Sequence, residues 1–209
     1  MSPSPSPDLQ RRRAALIAAW QAARDEELAA EDPKLAPRER RMDLDRRAGV
    51  LARVQEVVDE RLAAAPVDLT GTAAARRVVV AHRSPWFTDR LRDALAGHGV
   101  EVLAVVDDGA DAIGTTLVEL PDAVVVESVL QRVTGVEVVR ELRRYAPEVV
   151  VTGFVPYEAD RGALLDAGAA EAWSRSTTPD ALAAQLAALL DGPGGADGGR
   201  RDGRQPASV

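Results

Sequence analysis

The chain contains no cysteine and only two histidines, His82 and His98. Disulfides, thiolate metal sites and a cysteine nucleophile are therefore excluded, and zinc is left without a workable ligand set. No apolar run approaches the roughly 20 residues of a membrane span, and the opening Met-Ser-Pro-Ser-Pro-Ser-Pro has neither the basic nor the apolar region of a signal peptide. A cytoplasmic location without membrane contact is the expectation. Residues 1–7 alternate serine and proline, and residues 191–209 hold almost nothing apolar, so neither end can offset its ordering entropy by burial. Both are expected to be disordered, with no C-terminal output domain.

What is present is enough for one domain of ordinary size and an appendage: 209 residues, 46% hydrophobic and 28% charged. Residues 8–65 are mostly strong helix formers broken at Pro33 and Pro37, which predicts two helices. Leu9, Leu16, Trp20, Ala23 and Leu28 recur at helical spacing in the first, and Leu44, Leu51, Val54, Val58 and Leu62 in the second. A hairpin this short buries little alone. Its stripes must pack on the following domain or on a second copy, and a coiled-coil-like homodimer through residues 8–65 is the favoured expectation. Arg11 to Arg13 and Arg38, Arg40, Arg41, Arg46 and Arg47 look like nucleic-acid contacts, yet residues 1–76 hold 13 basic and 13 acidic residues. Solvated helix faces account for them better. Residues 66–76 lose the stripe and read as a linker.

From Arg77 onward, short β-branched runs alternate with helical stretches. Val78 to Ala81 precedes a helix opening at Ser84-Pro85, a cap residue followed by proline at the first helical position. Strands at 100–106, 123–127, 148–152 and 170–174 are followed by helices at about 111–120, 135–145, 157–167 and 179–190. Five βα units with continuous valine runs give an α/β fold, a parallel doubly wound sheet buried on both faces. Ligand chemistry in such a sheet sits at the strand C-terminal ends, here His82 and Arg83, Glu127, Thr152 and Arg175.

Residues 77–190 resemble the receiver domain of bacterial two-component response regulators. The resemblance rests on ordered landmarks: Val78-Val79-Val80 with Pro85, Asp108-Gly109, Pro121-Asp122, Gly135, Thr152-Gly153, Ala167-Gly168-Ala169, Arg175-Ser176 and Pro179. It implies a flavodoxin-like sheet of strand order 2-1-3-4-5. It also implies a phosphoacceptor aspartate at the end of the third strand, where this chain has Glu127. The magnesium-binding acidic pair is replaced by His82-Arg83, the switch Ser/Thr is carried over as Thr152, the lysine becomes Arg175, and the switch aromatic falls at Ala172 beside Trp173.

These departures have chemical consequences. Magnesium takes hard oxygen ligands, which a guanidinium cannot supply and an imidazole supplies poorly. Glutamate would displace the attacking oxygen by roughly 1 Å, enough to lose orders of magnitude in rate. Asp107-Asp108 follows the second strand rather than the first and reads as a solvated turn, with Asp108 ahead of a helix. Metal, cofactor and catalytic residue are therefore all expected to be absent. The Ala81 to Pro85 loop also lacks the glycine that a flavodoxin-type cofactor loop requires. Two accounts of Glu127 stay open: a carboxylate held by Arg83 and Arg175 that locks one signalling conformation, or a decayed site.

Trp86-Phe87 is expected to pack locally, His98 to sit in a surface turn, and Phe154, Tyr157 and Trp173 to lie on a partner-binding face. Residues 77–190 carry 10 basic and 17 acidic residues, which disfavours nucleic acid. The expected function is a non-enzymatic pseudo-receiver that binds another signalling or regulatory protein. A phosphorylatable regulator in a phosphorelay and a DNA-binding regulator acting through the N-terminal helices are the alternatives.

Overall fold

The computed structural model describes residues 7–29, 34–64 and 76–192. The expectations for residues 1–6, for most of the linker and for residues 193–209 lie outside the described residues. Two helices lead, α1 (Pro7–Ala29) and α2 (Pro37–Ala63). They are followed by β1 (Arg76–Ala81), α3 (Pro85–Gly97), β2 (Val100–Val106), α4 (Gly109–Glu119), β3 (Ala123–Glu127) and α5 (Gly135–Tyr145). The chain closes with β4 (Val150–Val155), a 3-10 turn, α6 (Arg161–Asp166), β5 (Glu171–Ser174) and α7 (Pro179–Asp191). The five strands are parallel, in the order β2-β1-β3-β4-β5. Arg76 belongs to β1 rather than to the linker, and it pairs with Asp191, the residue that ends α7. None of the described helices is long and apolar enough to cross a membrane.

Alternation along the strands divides the interior into two layers. Val78, Val80, Val125 and Phe154 face α3 and α7, whereas Val79, Ala81, Val124, Val126 and Val151 face α4, α5 and α6. Helix starts follow local chemistry. Ser84 and Thr178 each accept an N–H of the first turn, ahead of Pro85 and Pro179. Thr134 and Glu137 form a reciprocal capping box at α5.

Most of the apolar stripes of α1 and α2 pack within the chain, which is the alternative to a coiled-coil dimer through residues 8–65, while Leu62 at the end of the second stripe stays exposed. Ile17, Trp20, Leu51, Val54 and Val58 join the same core as α4, each contributing roughly 1.5–3 kcal/mol of gross burial. The cause lies in α4, whose residues are buried on nearly every side. A helix buried around most of its circumference needs cover on both faces. The sheet covers one face and α2 the other, at a separation set by Gly114, where a Cβ would stand 2.9 Å from Val57.

Arginines of the helical layer then meet carboxylates of the sheet domain. Arg53 grips Asp111 through two bonds of 2.8 and 3.0 Å, Arg61 holds Glu119 at 2.7 Å, Arg46 holds Glu137 at 2.7 Å, and Arg12 reaches Glu148 at 2.7 Å. Burial acts to raise the Glu137 carboxyl, but the bonds from Thr134 and the nearby Arg46 outweigh it and hold it below the usual range.

Candidate functional site

The C-terminal ends of β1, β3, β4 and β5 open on a cleft of about 470 Å³. Glu127 is the last residue of β3, and its side chain is only 10% exposed. The extra methylene of glutamate carries the carboxylate across to the β1–α3 loop. There the backbone N–H of Arg83 donates to Oε2 at 2.9 Å, and the guanidinium reaches Oε1 at 3.3 Å through Nη2 and Oε2 at 3.4 Å through Nε. Both carboxylate oxygens are thus engaged by one residue. A buried carboxylate is well matched by a guanidinium fork, and here the fork rests on a backbone bond that fixes its register.

His82 points inward beneath this pair. Its ring stacks on Phe87 with centroids 4.3 Å apart and meets Phe154 edge-on at 5.2 Å. The N–H of Ser84 donates to Nδ1 at 3.0 Å, so Nδ1 carries the lone pair and the proton sits on Nε2. The imidazole is therefore neutral, and the 3.9 Å approach of Nδ1 to Glu127 is not an ion pair. Burial pushes its pKa below the ordinary value; Glu127 opposes this and Arg83 adds to it. Nε2 is buried without a partner.

The sequence-predicted residues are only partly brought together. Glu127, His82 and Arg83 converge, and Arg175 lines the same cleft without touching Glu127. Thr152 does not belong to the site. β4 runs on to Val155, and Thr152 lies in its middle, fully buried, with its hydroxyl donating to the Val124 carbonyl at 3.2 Å. Gly153 had suggested a strand end, but the strand continues through it because Leu164 packs where a side chain would be. The residue that pairs with Glu127 in the sheet is Phe154. Pro156 was the sequence signal that would have placed it, since proline stops a strand more firmly than glycine.

Further expectations are corrected nearby. Asp108 stands ahead of a helix as expected but is buried rather than solvated, accepting the N–H groups of Ala110 and Asp111 as the cap of α4, with Arg132 3.3 Å from its other oxygen. Phe154 and Trp173 are interior residues, the Trp173 indole donating to Gln185 at 2.8 Å, so Tyr157 alone of that trio is exposed. Trp86-Phe87 splits, with Phe87 buried and Trp86 67% exposed.

The donor set does not fit the magnesium that the receiver resemblance implies. Arg83 offers no lone pair, that of His82 Nδ1 is taken by Ser84, Asp108 is turned to a helix cap, and both Glu127 oxygens are held by Arg83. Among the described residues no group of three His, Cys, Asp or Glu is placed to hold a metal ion.

Comparison with known proteins agrees with this architecture. No family model matches the chain. A 116-residue stretch is 29% identical to the response regulator MprA of Mycolicibacterium vanbaalenii, covering 54% of this chain and about half the length of that relative. The signal receiver domain of the response regulator NarL from Mycobacterium tuberculosis superposes with a TM-score of 0.53 at 25% identity, over 56% of this chain and 98% of that domain. A CheY-like receiver domain from Methanospirillum hungatei superposes with a TM-score of 0.52 at 17% identity, over 56% and 94% of the two chains, which speaks for the fold alone. The sheet domain is thus similar in sequence to a response regulator and in fold to receiver domains.

Proposed function

We propose that the chain is a non-enzymatic signalling regulator: a receiver domain that works without phosphorylation and acts by binding another signalling or regulatory protein in the cytoplasm. The observation that carries this reading is the closed pair of Glu127 and Arg83. In-line phosphoryl transfer needs a free carboxylate oxygen and a cation that bridges it to the phosphoryl group. Here the oxygens already face a guanidinium, whose positive charge stands where the family has a metal ligand. The same contact ties β3 to the β1–α3 loop, which favours one fixed arrangement of the cleft.

Association through an uncovered surface follows from the packing of α1 and α2 on the α4 side. The rim of the cleft, with Trp86, and the 3-10 turn after β4, with Tyr157 70% exposed, supply aromatic anchors of the kind that dominate interfaces. The DNA-binding alternative is weakened because Arg12, Arg46, Arg53 and Arg61 each already hold a carboxylate.

The test is incubation of the full chain with acetyl phosphate and magnesium, followed by intact-mass measurement. No mass gain is expected. A phosphoryl adduct on the wild type that disappears in Glu127→Ala would overturn the reading.

A further inference from the structure

The cleft has charge left over. Glu127 is answered by Arg83, whereas Arg175, an exposed residue of the same cleft, makes no hydrogen bond or ion pair with any of the described residues. The N-termini of two 13-residue helices, α3 at Pro85 and α7 at Pro179, border the same space, so the positive ends of both dipoles add to Arg175. At the floor, the His82 side chain is only 6% exposed and its Nε2–H has no acceptor. The rest of the lining combines the side chains of Phe87, Phe154, Pro156 and the exposed indole of Trp86 with the hydroxyl-bearing Ser84, Thr177 and Thr178.

These features define a ligand by its chemistry. The two arginines and Glu127 sum to one positive charge, so a single negative charge is balanced, while a phosphate dianion would leave an excess facing the Glu127 carboxylate. A guanidinium with both edges free suits two oxygens on one carbon. Aromatic walls suit a flat ring, and a volume of about 470 Å³ is ample for a molecule of ten to fifteen heavy atoms. We propose that the cleft is a non-covalent site for a small aromatic monocarboxylate, its carboxylate on Arg175 at the start of α7 and its ring against Trp86 over the His82, Phe87 and Phe154 cluster. The inference rests on the phosphorylation-independent reading and extends it: the ligand takes the regulatory place that a phosphoryl group has in the family.

Calorimetry and amide chemical-shift titration of the full chain with benzoate, phenylacetate and indole-3-acetate test it, with indole-3-ethanol and inorganic phosphate as controls. At least one of the three carboxylates is expected to bind saturably, and neither control. Arg175→Gln, at an exposed position that leaves the fold alone, is expected to weaken binding roughly tenfold or more; Trp86→Ala is expected to weaken it too, and Arg140→Gln on the far surface to leave it unchanged. Silence from all three carboxylates, equal binding of indole-3-ethanol or phosphate, or an Arg175→Gln affinity equal to wild type would overturn the proposal. A chain that takes no phosphoryl group and ignores the carboxylates keeps the first reading and loses this one. A chain labelled by acetyl phosphate loses both.

Discussion

Replacing Gly114 with alanine places one methyl at the point where α2 and α4 lie closest. The new Cβ would stand 2.9 Å from Cβ and Cγ1 of Val57 and 3.0 Å from the carbonyl oxygen of Val54. Two effects oppose each other. Alanine is favoured over glycine in a helix interior by about 1 kcal/mol, whereas overpacking a filled core costs about 1–3 kcal/mol. The crowded atoms are a β-branched stem and a backbone carbonyl, so relief requires α2 itself to move, and Val54, Val57 and Val58 are all buried there. The upper half of the overpacking range therefore applies, and the net loss is about 1–2 kcal/mol. For a chain of this size that lowers the thermal midpoint by roughly 3–6 °C. The assay is thermal and urea unfolding of the full chain followed by circular dichroism. Val57→Ala, costing about 1–2 kcal/mol alone, makes room for the methyl, so the double variant should lose about 1 kcal/mol less than the sum of the two. If Gly114→Ala instead raises the midpoint and the pair is additive, α2 does not pack on α4 in solution and the integrated helical layer is wrong.

Three further outcomes follow from named contacts. Gly135→Ala would put a Cβ 2.3 Å from the Glu127 carbonyl oxygen and 2.7 Å from Ser128 Cα; since both are backbone, a loss of about 3 kcal/mol or more in urea unfolding is expected, and a loss under half of that would refute the close approach. Thr152→Val removes one hydroxyl bond from a buried, nearly isosteric position, so stability should fall by about 1 kcal/mol with partner binding intact; lost binding at full stability would return Thr152 to a switching role. His82, whose pKa is lowered first by burial, is neutral in the folded chain, whereas in the unfolded chain it takes up its proton near pH 6.5. Its contribution is therefore intact above that value and is lost as pH falls through it toward the folded pKa. The slope of unfolding free energy against pH between about 7 and 5 should flatten in His82→Phe, and an unchanged slope would show that the ring is not buried neutral.

The sheet was legible because its signals are local. Valine runs fix strands buried on both faces, and Ser84-Pro85 and Thr178-Pro179 fix helix starts, so α5 and β3 fall at the residues expected. Glu127 beside Arg83 was also legible, since both lie at strand ends whose neighbours the topology dictates. What stayed hidden depended on contacts between distant segments. Gly153 reads as a stop until Leu164 is seen against it, and Asp108 reads as solvated until its cap and Arg132 are seen. The fate of the hairpin was half visible: the stripes on α1 and α2 were plain, but their destination was written in α4, where Gly109 to Leu120 offers hardly a polar side to water.

The burial of α4 between β-sheet and hairpin bears on how the chain assembles. Its first helices leave the ribosome well before their docking surface exists, because Arg53 and Arg61 each find their partner 58 residues downstream. Until α4 is made, Trp20, Leu51 and Val54 have only the contact between α1 and α2 to cover them, and once α4 is made, its outer face has no shelter unless those helices wait nearby. Such distant pairing slows folding and leaves apolar faces open to wrong partners in the interval. Arginines placed on the hairpin and acids on the later helices would shorten that search by drawing the two halves together before their apolar faces meet.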